Sequence, residues 1–516
     1  MIPEQFNFAA FVMQRNARRA ERVAYVDDQR SLSYGALHDG IRRCAGLLHA
    51  GGLRREERVL LLMHDNVDWP IAFLGAIYAG IVPVAVNTLL SADDYAYMLA
   101  HSRAQAVFTS GALLPVLRDA LSRLGQNSEV RRVWVSTPTA LQEGEEPFAP
   151  QLDAARPLDE PAPTQGDEAA FWLYSSGSTG RPKGTVHTHA NLLWTAELYA
   201  MPILRLAEND VVFSAAKLFF AYGLGNALTF PLMAGATAVL MAERPTPAAV
   251  FKRLTEHRPT VFYGVPTLYA GMLAASGLPA RSQVALRLCA SAGEALPRDV
   301  GERFTAHFGC EILDGIGSTE MLHIFLSNRA GEVRYGTTGR PVEGYVVELR
   351  DEEGRPVEVG EVGDLYIKGP SAALMYWHNR EKSRATFQGE WLKSGDKYSV
   401  DADGFYTYAG RSDDMLKVSG QYVSPFEVES ALAQHPQVLE AAVIGVPDAD
   451  GLTKTKAFVV LKPGLAAGED ELKAFVKSRL APHKYPRSIE FLAELPKTAT
   501  GKIQRFRLRE RETGKT

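Results

Sequence analysis

The run Ser175-Ser176-Gly177-Ser178-Thr179-Gly180, followed by Arg181-Pro182-Lys183-Gly184, has the residue types of a phosphate cradle. Glycines let the backbone fold tightly enough for successive N–H groups to face an anion, and hydroxyls add further donors. Lys183 supplies a point charge for a polyphosphate. The spacing does not fit Gly-x-x-x-x-Gly-Lys-Ser/Thr in any register, so this is a different loop from the Walker type. An apolar run at residues 169–173 precedes it and predicts a strand that delivers the loop.

Further along stand Ser291-Ala292-Gly293-Glu294, Asp314-Gly315-Ile316-Gly317-Ser318-Thr319-Glu320 and Ser394-Gly395-Asp396. Tyr408-Ala409-Gly410-Arg411-Ser412-Asp413-Asp414 and Pro496-Lys497-Thr498-Ala499-Thr500-Gly501-Lys502 follow them. With the loop, these blocks resemble the adenylate-forming superfamily: acyl-CoA synthetases, peptide-synthetase adenylation domains and firefly-type luciferases. The order and spacing match over nearly the whole chain.

The resemblance implies that ATP and a carboxylate form an acyl-adenylate, which then meets CoA. The first step brings two anions together and needs cations and preorganised donors. By resemblance, Lys502 bridges the carboxylate and the α-phosphate, Thr319 donates to that phosphate, and Glu320 holds Mg²⁺. One carboxylate beside phosphate oxygens suffices for that ion. Asp396 and Arg411 match the residues that contact ribose, while Ala292, Gly293, Glu294 and Asp314 border adenine. Asp413 matches a hinge about which a small C-terminal domain turns between the half-reactions. Lys417, Ser419 and Gly420 would then face the active site, the glycine giving pantetheine close passage.

The acyl pocket of the family falls on Leu218-Phe219-Phe220-Ala221-Tyr222-Gly223, with Tyr263-Gly264, Ile316-Gly317 and His323-Ile324 as further walls. Amino-acid-activating relatives carry an Asp in the first segment. None stands here, and an unpaired buried ammonium is costly, so α-amino acids are disfavoured. Gly317 holds the position where acetate-specific relatives place a plugging Trp, which implies an open pocket. The walls suit a ring, and the segment most resembles benzoate–CoA and hydroxybenzoate–CoA ligases. The sequence leaves open whether His323 meets a ring substituent. A medium-chain fatty acyl-CoA ligase is the alternative, with a non-catalytic nucleotide-binding protein further behind.

The elements that must hold these residues read as short apolar strands alternating with helices. Runs at 58–63, 81–86, 237–241, 260–263, 286–290 and 311–314, with an apolar-spaced helix at 68–79, argue for parallel sheets covered on both faces. The stretch 144–163 reads as a surface loop. After about residue 335 short strands dominate, with a hairpin between 346–350 and Val357 onward around Gly354, a β-barrel-like part. Past 411–414, the expected hinge, residues 415–516 restart as a small α+β domain. Its expected helices are 425–434 and 470–480, and its strands 441–445 and 456–461. Residues 1–410 form the ATP- and acyl-binding domain.

The 516 residues carry 56 basic and 60 acidic side chains, a net charge of −4, which gives no footprint for nucleic acid or anionic lipid. Cys44, Cys289 and Cys310 lack metal or redox spacing and read as buried thiols of a reducing compartment. Without a secretory start or an apolar run of membrane length, the chain reads as cytoplasmic. The oligomeric state stays open, a homodimer among the options.

Overall fold

The computed structural model describes residues 3–175, 181–412, 414–418, 421–448, 453–480, 484–497 and 503–513, with main chain alone for 417, 421, 422 and 513. Two large sheets dominate the first 376 residues. One runs, in spatial order, Met375–Tyr376, Lys183–Thr188, Ala169–Ser175, Val82–Ala85, Arg58–Leu62, Ala106–Ser110, Arg132–Ser136 and Glu145–Pro147. The other centres on the parallel strands Val211–Ser214, Val261–Gly264, Leu288–Ser291 and Ile312–Gly317.

Strand alternation explains the layering. Val59 and Leu61 face a core shared with Tyr263, Ala290 and Leu313 of the second sheet, whereas Leu60 and Leu62 face a separate core on the outside. Phe262, Cys289 and Ile312 likewise face a third core beyond the second sheet. A strand buried on both faces must be apolar at every position, and this is what made these runs legible. Helix Asp68–Tyr78 is buried along its whole length, as befits a helix packed between layers. The three cysteines are buried and free.

Two expectations change. Residues 144–163 are not simply loop: Glu145–Pro147 adds an edge strand, and Phe148–Ala154 is a helix that buries Phe148 and Leu152. Two well-spaced apolar residues sufficed to dock a segment rich in Pro and Glu. The long strand partner of Val346–Arg350 is Gly363–Lys368 rather than residues from 357, which make only a short return, Pro356 bridged to Arg350 and the Val357 N–H donating to the Leu349 carbonyl. Trp391–Val400 and Tyr406–Arg411 extend this sheet.

The remaining residues form a two-stranded ribbon of Leu416–Val418 and Gln421–Val423 and a three-stranded sheet of Val438–Pro447, Thr453–Leu461 and Ser488–Phe491. Helices Pro425–Ala433 and Glu469–Lys477 pack on one face, and Arg505–Thr513 lies on the other through Leu508. Among the described residues no helix is long and apolar enough to cross a membrane.

Candidate active site

The phosphate-loop strand Ala169–Ser175 returns through the antiparallel strand Lys183–Thr188, with Ser175 paired to Lys183. Residues 176–180, and so Ser176, Gly177, Ser178, Thr179 and Gly180, lie outside the described residues. At the loop's ends, Lys183 Nζ stands 3.7 Å from Glu320 Oε1, each side chain only 14% exposed. Tyr376 donates its hydroxyl proton to Glu320 Oε1 at 2.6 Å and accepts from Lys183 at 3.2 Å. Ser175 Oγ reaches the same carboxylate oxygen at 3.4 Å. Burial lowers the pKa of Lys183, with the Glu320 charge opposing.

Among the described residues no hydrogen bond falls on Glu320 Oε2, and no cluster of three His, Cys, Asp or Glu could cage a metal. The open Glu320 Oε2 fits Mg²⁺, which takes one or two carboxylates and completes its shell with phosphate oxygens and water.

Asp396 and Arg411 are cross-strand partners. Arg411 donates to Asp396 Oδ1 at 3.1 Å, and its charge is felt at Lys183. The backbone turns through Gly395 at φ +79°, and a Cβ there would sit 3.0 Å from an Arg411 nitrogen. Glycine thus lets the guanidinium fold over the turn.

Strands Leu288–Ser291 and Ile312–Gly317 end side by side, Ser291 opposite Asp314, with Ala292 and Gly293 continuing from the first. Glu294 accepts from Thr267 Oγ1 at 3.0 Å. Ligands of open parallel sheets sit beyond such carboxyl ends. Asp314 accepts from Leu296 N–H through Oδ2 at 3.3 Å, and Oδ1 has no hydrogen-bond partner among the described residues. Burial pushes its pKa up to about 8, only partly opposed by the Leu296 N–H.

A carboxyl whose pKa rises on folding stabilises the fold while protonated, and that stability is lost as pH climbs through the folded value. The native protein should therefore lose about 1 kcal/mol from this group between pH 7 and 9, and Asp314→Asn should lose none of it. Parallel thermal-denaturation curves for the two proteins over that range would refute this.

The residues expected to form the acyl walls begin where Phe220 precedes a short helix, Ala221–Leu224, that passes into π-helix Gly225–Thr229. Tyr222 and Tyr263 meet edge to face at 6.3 Å. His323 is enclosed by the rings of Tyr199, Tyr222 and Phe230 at 5.4, 5.5 and 4.5 Å. Burial drives its pKa down to about 3, so the ring is neutral. Nε2 lies 3.3 Å from the Tyr222 carbonyl and donates to it, which makes Nδ1 an acceptor without a partner among the described residues. Ile316, Gly317 and Ile324 complete the wall across an antiparallel bulge. A Cβ on Gly317 would come 2.5 Å from the His323 carbonyl oxygen, so close backbone approach also dictates glycine there. Gly223 and Gly264 are hemmed in similarly.

Tyr199 and Asn226 carried no signal in the sequence. The Tyr199 hydroxyl and both polar atoms of Asn226 are buried without hydrogen-bond partners among the described residues, as are the hydroxyls of the expected wall residues Tyr222 and Tyr263. Tyr199 and Asn226 come from π-helices, Ala196–Ala200 and Gly225–Thr229, which recur at functional sites. Asp65, fully buried with its pKa raised to about 6, accepts Leu218 N–H through both oxygens at 3.3 and 3.2 Å. Neighbouring Lys217 binds the carbonyls of Met241 and Glu243. Together they anchor the segment that carries Phe219 and Phe220.

Lys502, Asp413, Ser419 and Gly420 lie outside the described residues, as does the Lys417 side chain. Lys497 and Ile503, on either side of the undescribed stretch that holds Lys502, are bridged. Asp414, in the expected hinge, pairs with Arg509 and stands 3.8 Å from Arg505.

Parallel strands that carry Ser291 and Asp314 at their carboxyl ends, with a buried Lys183–Glu320 pair, are the arrangement expected of an adenylate-forming enzyme. The chain belongs to the AMP-binding enzyme family: the model of that family matches residues 12–377, and that of its C-terminal domain matches 427–502. It is 58% identical to the benzoate–CoA ligase of Thauera aromatica, over 98% of this chain and 96% of the relative. It is 48% identical to the 4-hydroxybenzoate–CoA/benzoate–CoA ligase of Rhodopseudomonas palustris, over 99% and 95%. A solved benzoate–CoA ligase from Burkholderia xenovorans LB400 superposes with a TM-score of 0.92 at 65% identity, covering 98% of this chain and all of that one.

Proposed function

We propose that this enzyme joins benzoate, or a benzoate with a small ring substituent, to CoA, with ATP converted to AMP and pyrophosphate. The carboxylate attacks the α-phosphorus, and the α–β phosphoanhydride bond breaks to release pyrophosphate. The CoA thiol then attacks the acyl carbon and expels AMP. Lys183 and the adjoining loop hold the polyphosphate, and Thr319 donates to the α-phosphate. Asp396 and Arg411 orient ribose. Glu320 would hold Mg²⁺, which would supply charge to neutralise the phosphates. Lys502 steadies both anions in the first step and is not needed in the second.

The observation that carries the substrate reading is the pocket wall. Phe220, Tyr222, Tyr263 and a neutral His323 surround it without a charged side chain among them, as an aromatic acid requires. The relatives named for benzoate and 4-hydroxybenzoate support the same choice. The unpartnered His323 Nδ1 and tyrosine hydroxyls can hydrogen-bond a small ring substituent. Loss of such a pairing costs about 1–3 kcal/mol when groups are buried.

The test is AMP formation dependent on ATP, Mg²⁺ and CoA, with benzoate, 4-hydroxybenzoate, 2-aminobenzoate, acetate and octanoate in parallel. Turnover at least tenfold faster with the benzoates is expected. Preference for octanoate would discard the aryl pocket and keep the ligase chemistry.

A further inference from the structure

His187 has no place in any motif, yet it is wholly buried in the return strand of the phosphate loop, four positions beyond Lys183. Its ring stacks on Phe171 at 5.1 Å. Asn191 Nδ2, a donor only, lies 2.9 Å from Nδ1, so Nδ1 accepts and the ring proton sits on Nε2. Nε2–H then donates to the Thr319 carbonyl oxygen at 2.8 Å. Burial keeps this imidazole neutral, with a pKa lowered to about 4.

The catalytic turn is gripped at three successive carbonyls. Thr319 O takes His187, Glu320 O takes the Ala373 N–H at 2.8 Å, and Met321 O takes Ser371 Oγ at 2.8 Å. Asn191 joins the two outer grips, because its amide also reaches the carbonyls of Ser371 and Ala372 at 3.0 and 3.1 Å. Tyr345 backs Ser371 at 2.7 Å. Leu322, the next residue, holds φ +64°, a left-handed conformation that a leucine adopts only when its surroundings impose it.

We infer that His187 is a positioning residue that locks the register between the phosphate-loop strand and the Thr319-Glu320 turn. Through it, one rigid strand fixes both Lys183 and the backbone of Thr319. The Lys183–Glu320 spacing is thereby set before nucleotide arrives. The inference rests on the roles given above to Thr319 and Glu320.

His187→Leu keeps apolar bulk and removes both hydrogen bonds, while His187→Gln keeps a donor able to reach the Thr319 oxygen. A misplacement of about 1 Å can cost about a hundredfold in rate, so His187→Leu should slow benzoate-dependent pyrophosphate formation by about 10- to 100-fold. Its KM for ATP with Mg²⁺ should rise, while KM for benzoate should stay within about twofold, the acyl walls being untouched. His187→Gln should recover the rate to within about fivefold of the parent, since the net hydrogen bond is retained.

A His187→Leu enzyme within twofold of the parent overturns the inference, as does a His187→Gln enzyme as slow as His187→Leu, which would reduce the role to packing. Glu320→Gln run alongside separates the two claims. If it retains full activity, the assignment of the turn itself is wrong. If it is slow while His187→Leu is fast, His187 alone has been misjudged.

Discussion

Lys502→Ala should lower benzoyl-adenylate formation by about a thousandfold, the upper range for removing one preorganised donor to developing charge. Thioester formation from supplied benzoyl-adenylate and CoA should stay within about threefold of the parent, because in that step sulfur attacks the acyl carbon and no carboxylate has to be driven onto the α-phosphate. The split follows from charge. A carboxylate approaching an α-phosphate meets repulsion that only a nearby cation relieves, and Lys183 is already engaged at Glu320 and Tyr376. Single-turnover assays of each half-reaction decide the matter. Equal losses in both would strip Lys502 of the proposed role.

Glu320→Gln is expected to have the second-largest effect, and two opposed consequences must be weighed. Removing the carboxylate frees Lys183 from a counter-charge 3.7 Å away, which favours binding of the ATP anion. It also removes the side chain proposed to hold Mg²⁺, which serves the departing pyrophosphate. The first effect acts on binding and the second on the transition state, so turnover should fall about a hundredfold while metal-free ATP binds as well or better. Raising Mg²⁺ should restore part of the rate. Unchanged turnover at every Mg²⁺ concentration would count against Glu320 as the metal ligand. The Tyr376 hydroxyl, which donates to the same oxygen, finds a weaker acceptor in a neutral amide, so a modest loss of stability should accompany the change.

The residues proposed for the nucleotide end of the site stand out in the sequence and their supports do not, for a physical reason. Binding a phosphate, a ribose or a metal demands particular atoms in short stretches, so Ser175, Lys183, Glu320, Asp396 and Arg411 announce themselves by type and neighbours. The structure brings Ser175, Lys183 and Glu320 together and pairs Asp396 with Arg411. Tyr376 and His187 act instead across 56 and 132 residues of chain, and nothing local marks a tyrosine or a buried histidine for such a partner. Asp65 looks like any loop aspartate until folding buries it against Leu218, 153 positions away. The layered α/β core was readable because strands buried on both faces must be apolar throughout. The helix at Phe148–Ala154 was missed because turn-forming neighbours outweighed two buried side chains.

Asp414 offers a lesson for recombination between relatives. Its carboxylate is held by Arg505 and Arg509, nearly a hundred positions later on the terminal helix. A hybrid joined just after residue 414 would inherit the acid from one parent and its arginines from the other. A junction one or two residues earlier passes the whole ion cluster on as a unit. Crossovers between diverged homologues should therefore be better tolerated ahead of this aspartate than behind it.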